Sequence, residues 1–205
     1  KDEFSLPWNI DTVKRTHSIL MDGVNDDIVP GVIRDVDVSV SDGKGFEFFI
    51  TCPHMHIREE LESLLEWLEI SPYDEIITSV LFFHEFESIH PFRDGNGRTG
   101  RTLFQILLQE FGLRNSKLCK IEQEILSDTP TYYDLLAYTD HTDDYGPLVM
   151  YVSESLLIAY EDTLSVFREK DKLKDLDENS RHLVLLARTE KEFSINDAVK
   201  ALPAL

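Results

Sequence analysis

The sequence is poor in three features that mark other classes of protein. It has two cysteines among 205 residues, Cys52 and Cys119, which suits a reducing compartment better than a disulfide framework. It has no apolar run near the roughly 20 residues that span a bilayer. Lysine and arginine number 20 against 39 aspartates and glutamates, and the formal charge of −19 disfavours a polyanion bound over the general surface. These deficits predict a cytoplasmic protein with no membrane segment and no general affinity for nucleic acid.

The hydrophobic share of 42% excludes wholesale disorder and supplies one sizeable core. Apolar residues with helical spacing predict helices over 10–24, 57–70, 72–89, 98–111, 117–126 and 147–164. The segment 72–89 is apolar around most of its circumference, which predicts a helix at the centre of the core. Two alternating runs, 36–40 and 46–50, predict a β-hairpin. The fold class is therefore mainly α with one hairpin.

One stretch, residues 90–101, concentrates the chemistry and reads H-P-F-R-D-G-N-G-R-T-G-R. Its Asp-Gly and Asn-Gly dipeptides favour left-handed or turn backbone, and such alternation points successive N–H groups into one anion-binding concavity. The loop leads into a predicted helix whose amino end would face the same anion. A plain hairpin turn is the alternative, but its flanks should then alternate with period two, and they do not.

The charged side chains of this stretch suit a phosphorylated ligand. Arg98 and Arg101 lie three residues apart on the first turn of the helix, and arginine forks bind terminal phosphate oxygens well. Asp94 is the carboxylate inside the stretch, and one carboxylate with phosphate oxygens is a common way of holding Mg²⁺. His90, neutral near pH 7, is suited to take a proton from an attacking hydroxyl.

Residues 90–101 also match the motif H-x-F-x-[D/E]-G-N-G-R-x-x-R at every specified position, and the chain therefore resembles the Fic family. The resemblance implies a Fic-type helical bundle with ATP and Mg²⁺ as ligands. It implies that His90 is the general base, that Asp94 holds Mg²⁺, and that Phe92 anchors the loop. The implied phosphate-binding residues are Gly95, Asn96, Gly97, Arg98 and Arg101.

Fic enzymes typically transfer AMP from ATP to a serine, threonine or tyrosine hydroxyl of a protein, and the resemblance implies this activity here. Fic enzymes resemble a branch of kinases in which a lysine replaces the second motif glycine. This chain has Gly97 at that position. Phosphorylation, removal of AMP, and a regulatory module that binds nucleotide without catalysis remain alternatives. Self-modification is also left open.

Two further segments extend the resemblance. The run Pro30-Gly31-x-x-Arg34 before the predicted hairpin is similar to the lead-in to the Fic flap, which would position a target segment through Phe46, Glu47 and Phe48. The alternative is a hairpin that only covers the core. The pair Tyr132 and Tyr133 resembles the segment that lines the adenine pocket, although tyrosines at helical spacing are as often core residues.

An inhibitory helix, [S/T]-x-x-x-E-[G/N], is expected in many Fic proteins. The run Ser18-x-x-x-Asp22-Gly23 departs from it by an aspartate and falls in the first core helix, so an inhibitory element is expected upstream or in a partner protein. Residues 1–165 are expected to form the catalytic core, and residues 166–205 a linker with a short C-terminal helical element. That element is either a capping pair of helices or a truncated winged helix that binds DNA.

Overall fold

The structure is a computed structural model that describes residues 7–24, 26–41, 47–113, 115–174, 177, 178 and 180. For residues 40, 41, 47–50 and 169–174 it describes the backbone alone. The described chain is mainly helical, as the sequence predicts. Its helices are α1 (Ile10–Met21), α2 (Ile57–Ile70), α3 (Glu75–Ile89), α4 (Asn96–Glu110), α5 (Ile121–Ile125), α6 (Thr129–Thr142) and α7 (Gly146–Lys174).

Helix α3 lies at the centre of the core, which confirms the prediction from its apolar circumference. Phe82 and Phe86 pack in one hydrophobic cluster with residues of α1, α2 and α4. Val80 and Phe83 pack in a second cluster with residues of α4 to α7. Burial of each such aromatic side chain contributes about 1.5–3 kcal/mol. The helix is thus held from both sides, and its carboxyl end is a fixed point of the fold.

Two helix starts differ from those that the sequence predicts. Asp74, rather than Ser71, caps α3, because its Oδ1 accepts the N–H groups of Ile76 and Ile77 at 3.0 Å each. The hydroxyl of Ser71 is instead hydrogen-bonded to that of Thr78. Helix α4 begins at Asn96, two residues before the predicted start, so part of the glycine-rich motif belongs to its first turn.

The segment predicted as a hairpin contains two short antiparallel strands, β1 (Ser39–Ser41) and β2 (Glu47–Ile50). Their register pairs Ser39 with Ile50, and it shifts between Val40 and Ser41. Phe46 lies outside the described residues, and Glu47 and Phe48 are described by their backbone in β2. The role of this segment as a flap stays a prediction.

The chain divides into two compact units, Lys1–Tyr160 and Glu161–Leu205. The first contains the 90–101 stretch and both hydrophobic clusters. In the second, the charged run after Arg168 continues α7 as far as Lys174, whereas the pair of helices or truncated winged helix expected at the C-terminal end lies outside the described residues. The boundary expected after residue 165 stays a prediction. Among the described residues, no helix combines the length and apolar character that crossing a bilayer requires.

Candidate active site

The carboxyl end of α3 delivers His90 in a left-handed conformation, with φ 50° and ψ 60°. Its backbone N–H closes the helix by donating to the carbonyl of Phe86 at 3.0 Å. A histidine rarely adopts positive φ, and the surrounding contacts must hold it there. The turn reverses the chain into the motif loop, so the histidine lies between two rigid helices.

The imidazole of His90 has a fixed tautomer. Its Nδ1 lies 3.2 Å from the carbonyl oxygen of Glu87, which can only accept, so the proton is on Nδ1 and the lone pair on Nε2. Burial lowers the pKa of His90 to about 4; the charge of Arg34 acts in the same direction, against the Glu87 hydrogen bond and Asp94. The ring is therefore neutral at pH 7, the state that a general base requires.

The motif loop is closed by Asn96 rather than by its glycines. The Asn96 amide accepts the N–H of Phe92 and donates to the carbonyl of Phe92, both at 2.8 Å, and it is buried. Its side chain is therefore used within the loop, and its contribution to a phosphate site is its backbone N–H. Phe92 is fully buried, as expected for an anchor.

His17 is a site residue that the sequence does not reveal. Its ring stacks on Phe92 with centroids 3.7 Å apart, accepts the N–H of Gly31 on Nδ1 at 2.8 Å, and contacts the carbonyl of Asp94 through Nε2 at 2.9 Å. Both nitrogens are satisfied when the ring is neutral with its proton on Nε2. Burial lowers its pKa against opposing contributions from Asp94, which agrees with that state. His17 thus supports the loop from α1.

Gly95 is required by its conformation and by its neighbour. It caps α4 with φ 79°, and a Cβ built on it would lie 2.5 Å from the sulfur of Met21. The first backbone hydrogen bond of α4 runs from Thr99 to Gly95. The N–H groups of Asn96, Gly97 and Arg98 therefore have no acceptor within the described part of the chain. Three open amides at a helix start can hold an anion.

Arg101 lies over this helix start. A Cβ on Gly97 would lie 2.8 Å from its Nη1, so the guanidinium packs on the glycine backbone. Its Nε donates to Glu122 at 2.7 Å, an ion pair with α5 that the sequence does not predict. Its charge also acts on the buried carboxyl group of Glu87, where burial raises the pKa to about 7 against the influence of Arg101 and His84. Arg101 is therefore already oriented, with a carboxylate at its Nε.

Asp94 and Arg98 face each other across the loop. Asp94 Oδ2 lies 3.8 Å from Arg98 Nη2, and its Oδ1 accepts the N–H of Gly95 at 2.6 Å. Both side chains are partly exposed. Among the described residues no group of three metal-binding side chains occurs. A single carboxylate beside open amides fits a magnesium ion that takes its other ligands from phosphate and water.

Arg34 connects the His90 turn to the segment that carries the two strands. It is buried, with 3% of its surface exposed. Its guanidinium donates to the carbonyls of His90 at 2.7 Å, Ile89 at 3.2 Å and Val36 at 2.7 Å, and also contacts Thr51 and the carbonyl of Cys52. Its backbone N–H donates to Pro91 at 2.9 Å. The sequence marked Arg34 by its spacing from Pro30-Gly31 but did not show what it binds.

The adenine-pocket prediction requires a correction for Tyr132. Its side chain is 1% exposed and lies 6.3 Å from Phe83 between ring centroids, so it belongs to the core and cannot stack on a base in this conformation. The neighbouring Tyr133 is partly buried, with its ring centroid 5.2 Å from that of Tyr132. A role for Tyr133 in nucleotide binding stays a prediction.

Three comparisons place the chain among known proteins. It is 28% identical over 142 residues to a probable protein adenylyltransferase of Aquifex aeolicus, covering 69% of this chain and 43% of that protein. It is 28% identical over 107 residues to the protein adenylyltransferase fic-1 of Caenorhabditis briggsae, covering 51% of this chain and 20% of that one. A crystal structure of a Fic family protein from Desulfovibrio desulfuricans superposes with a TM-score of 0.70 at 27% identity, covering 94% of this chain and 56% of that one.

The chain thus spans less than two thirds of the length of each of these relatives. The model of the Fic/DOC family matches residues 7–108, from the segment before α1 to the last turn of α4. That region holds the motif loop together with the residues that support it, His17 and Arg34. Motif, fold and family model agree, and the chain belongs to the Fic/DOC family.

Proposed function

We propose that this protein transfers AMP from ATP to a serine, threonine or tyrosine hydroxyl of a target protein. The observation that carries the proposal is His90, a neutral histidine with its proton on Nδ1 and its lone pair on Nε2, placed one short loop before the three open amides of α4. The names of the relatives, protein adenylyltransferases, agree with it.

The proposed step balances as an in-line displacement at the α-phosphorus. His90 Nε2 takes the proton of the target hydroxyl, whose oxygen forms the new bond to phosphorus while the bond to the bridging oxygen breaks and pyrophosphate leaves. The amides of Asn96, Gly97 and Arg98 would stabilise the charge that develops on the phosphate oxygens. His90 then acts on the incoming group and not on the nucleotide.

Asp94 is the residue that would hold the Mg²⁺ ion bound with ATP. Its partly exposed carboxylate lies beside the amide cluster and fits a Mg²⁺ shared with phosphates, which when bound would neutralise charge on the nucleotide. Arg98 and Arg101 would bind the outer phosphates. The close packing of the Arg101 guanidinium on Gly97 supports a role for Arg101 beside the amides of this helix start.

Two other functions make different use of the same site. Phosphoryl transfer would place the γ-phosphorus at His90, and a nucleotide-binding regulatory module would need no base. A neutral His90 ring with its proton on Nδ1 favours catalysis over simple binding, which needs no base.

Parallel incubations with ATP labelled at the α or the γ position test the proposal. Wild type with its own chain as acceptor, and with a cell extract as a source of targets, should acquire label from the α position and none from γ. His90→Ala should abolish labelling and leave the calorimetric affinity for MgATP within about threefold, because the histidine does not bind phosphate.

Label from γ alone would contradict AMP transfer and support a kinase. Undiminished labelling by His90→Ala would contradict the role of the base. MgATP binding without transfer to any protein would favour the regulatory module.

A further inference from the structure

A cavity lies between α2, α3 and Tyr145, the residue that directly precedes α7. The proposed reaction does not use this cavity. It has a volume of about 380 Å³, within the roughly 300–1,000 Å³ of sites for small ligands. Its walls include three aromatic side chains, Trp67, Tyr73 and Tyr145. Tyr73 is 53% exposed and Trp67 partly buried, so aromatic surface is open to a ligand here.

The polar side chains of this cavity carry one sign of charge. Glu60 and Glu85 supply two carboxylates, Ser63 a hydroxyl, and no lysine, arginine or histidine is among the described residues that line it. Two other cavities in the first unit each contain an arginine, Arg58 together with four carboxylates in one and Arg93 in the other. Aromatic faces attract cations through their quadrupole, and carboxylates do so by charge.

Glu85 is held in place and kept ionised from beneath the cavity. Its Oε1 accepts the hydroxyl of Tyr145 and lies 3.3 Å from Nδ1 of the buried His84. Burial raises the pKa of Glu85, but hydrogen bonds from His84 and Tyr145 outweigh this effect and leave the pKa below its ordinary value.

His84 is itself fixed in place. Its Nε2 lies 3.3 Å from the carbonyl of Leu136 and 3.3 Å from Oδ1 of Asp140, both on α6. These partners orient the imidazole toward Glu85. Within the described part of the chain both Glu85 hydrogen bonds go to Oε1, so Oε2 keeps its capacity to accept from a ligand.

We propose that this cavity binds a guanidinium group. The planar guanidinium stacks on aromatic faces, is less strongly hydrated than an ammonium, and donates from several N–H groups to carboxylates. The cavity supplies each of these partners on rigid elements, since Trp67 lies on α2 and Glu85 on α3. The group belongs either to a free alkylguanidine or to an arginine side chain of a partner protein, because both present the same chemistry.

The two indole N–H signals of the protein report binding directly. The chain has two tryptophans, and Trp8 lines a different cavity, so it serves as an internal control for Trp67. Titration with butylguanidinium chloride at constant ionic strength should shift the Trp67 signal saturably and leave that of Trp8 in place. Butanol, which is neutral, and sodium pentanoate, whose organic ion is negative, have similar chain lengths and should not produce the shift.

Glu85→Gln should weaken butylguanidinium binding about tenfold or more, because it removes a charge-assisted hydrogen bond. Glu69→Gln changes the net charge equally and lies on α2 outside the cavity lining, so it should bind within twofold of wild type. Tyr73→Leu, at the exposed rim, should weaken binding about threefold through the lost cation–π contact. Thermal unfolding of each variant shows whether the fold is retained.

A capped Ala-Arg-Ala tripeptide distinguishes the two sources. Tighter binding than butylguanidinium, absent with Ala-Gln-Ala, would identify an arginine of a protein as the ligand, whereas weaker binding would identify a free guanidine compound. The proposal is overturned if the Trp67 signal shows no saturable shift at millimolar butylguanidinium. Butanol that binds equally well, or equal affinities of Glu85→Gln and Glu69→Gln, would overturn it as well.

Discussion

At the scale of single residues, two histidines are held neutral by opposite tautomers. His90 carries its proton on Nδ1, toward Glu87, and presents Nε2 as an acceptor. His17 accepts on Nδ1 from Gly31 and donates from Nε2 to the carbonyl of Asp94. The first arrangement suits a base and the second suits a structural support, so the same residue type has two roles around one loop.

Arg101 already has a carboxylate partner, because its Nε donates to Glu122. The Ser18 to Gly23 run lacks the expected glutamate, so the sequence predicts an inhibitory element upstream or in a partner protein. The structure places Glu122 of α5 at 2.7 Å from Arg101 instead. A phosphate arriving at Arg101 would meet the field of Glu122 together with that of the arginine.

Glu122→Gln should therefore tighten MgATP binding several-fold. The negative charge of Glu122 opposes that of the outer phosphates, and solvent partly screens this repulsion because the carboxylate is half-exposed. The half-exposed ion pair itself is worth little, so its loss should not offset this gain. Isothermal calorimetry on both proteins measures the difference.

Glu124→Gln is the matched control, because it makes the same charge change on the same short helix. Tightening of equal size in both variants would mean a general charge effect. Weaker binding in Glu122→Gln alone would show that Glu122 orients Arg101 productively.

At the scale of secondary-structure elements, the long helices other than α6 (Thr129–Thr142) were predictable, whereas the residues that support the motif loop were not. Apolar periodicity fixed the position of α3, since Phe82 and Phe86 must be buried together. The start of α3 was wrong by several residues, because Ser71-Pro72 and Asp74 are both good caps and only packing selects Asp74. The motif identified His90. His17, which contacts Asp94, and Arg34, which contacts His90, lie more than fifty residues away in the sequence.

The strand-bearing segment and the His90 turn share one support, Arg34. Its guanidinium contacts Val36 on one side of the strands and Thr51 and Cys52 on the other, as well as Ile89 and His90. A buried arginine with this many acceptors fixes both segments relative to each other.

Arg34→Lys should therefore lower the rate of AMP transfer about ten- to a hundredfold while MgATP affinity stays within about threefold. Lysine keeps the charge but cannot reach this set of acceptors, so the His90 turn loses its alignment while the amides of α4 do not. Transfer from α-labelled ATP and calorimetry of nucleotide binding separate the two effects.

Arg93→Lys is the control for this variant, since Arg93 pairs with Asp35 on the exposed side of the same loop. We expect that variant to transfer at close to the wild-type rate. Parallel loss of transfer and of nucleotide affinity in Arg34→Lys would mean that Arg34 supports the whole loop rather than the histidine.

At the scale of the whole molecule, ionisable groups near the site give stability opposite dependences on pH. His90 is protonated more readily when unfolded, so its contribution is full above about pH 6.5 and falls as the pH drops toward 4. Glu87 shows the reverse, because its carboxyl is buried against Gly100 and its Oε1 has no hydrogen-bond partner among the residues that the structure describes. Composition and net charge could not predict either effect, since both arise from burial at the α3–α4 contact.

Glu87→Gln isolates the second effect and gives a prediction for the free energy of unfolding. The pKa of Glu87 is raised from 4.5 to about 7 in the folded chain, so between these values the unfolded state releases the proton first and stability falls as the pH rises. Glutamine does not titrate. The difference in unfolding free energy, variant minus wild type, should therefore grow by about 3 kcal/mol between pH 4 and pH 8, whatever its sign at pH 4. Urea unfolding at a series of pH values measures it, and the exposed Glu69→Gln on α2 should give a difference that changes little. A pH-independent difference for Glu87→Gln would show that Glu87 is ionised throughout, stabilised by Arg101 and His84 more strongly than its burial opposes.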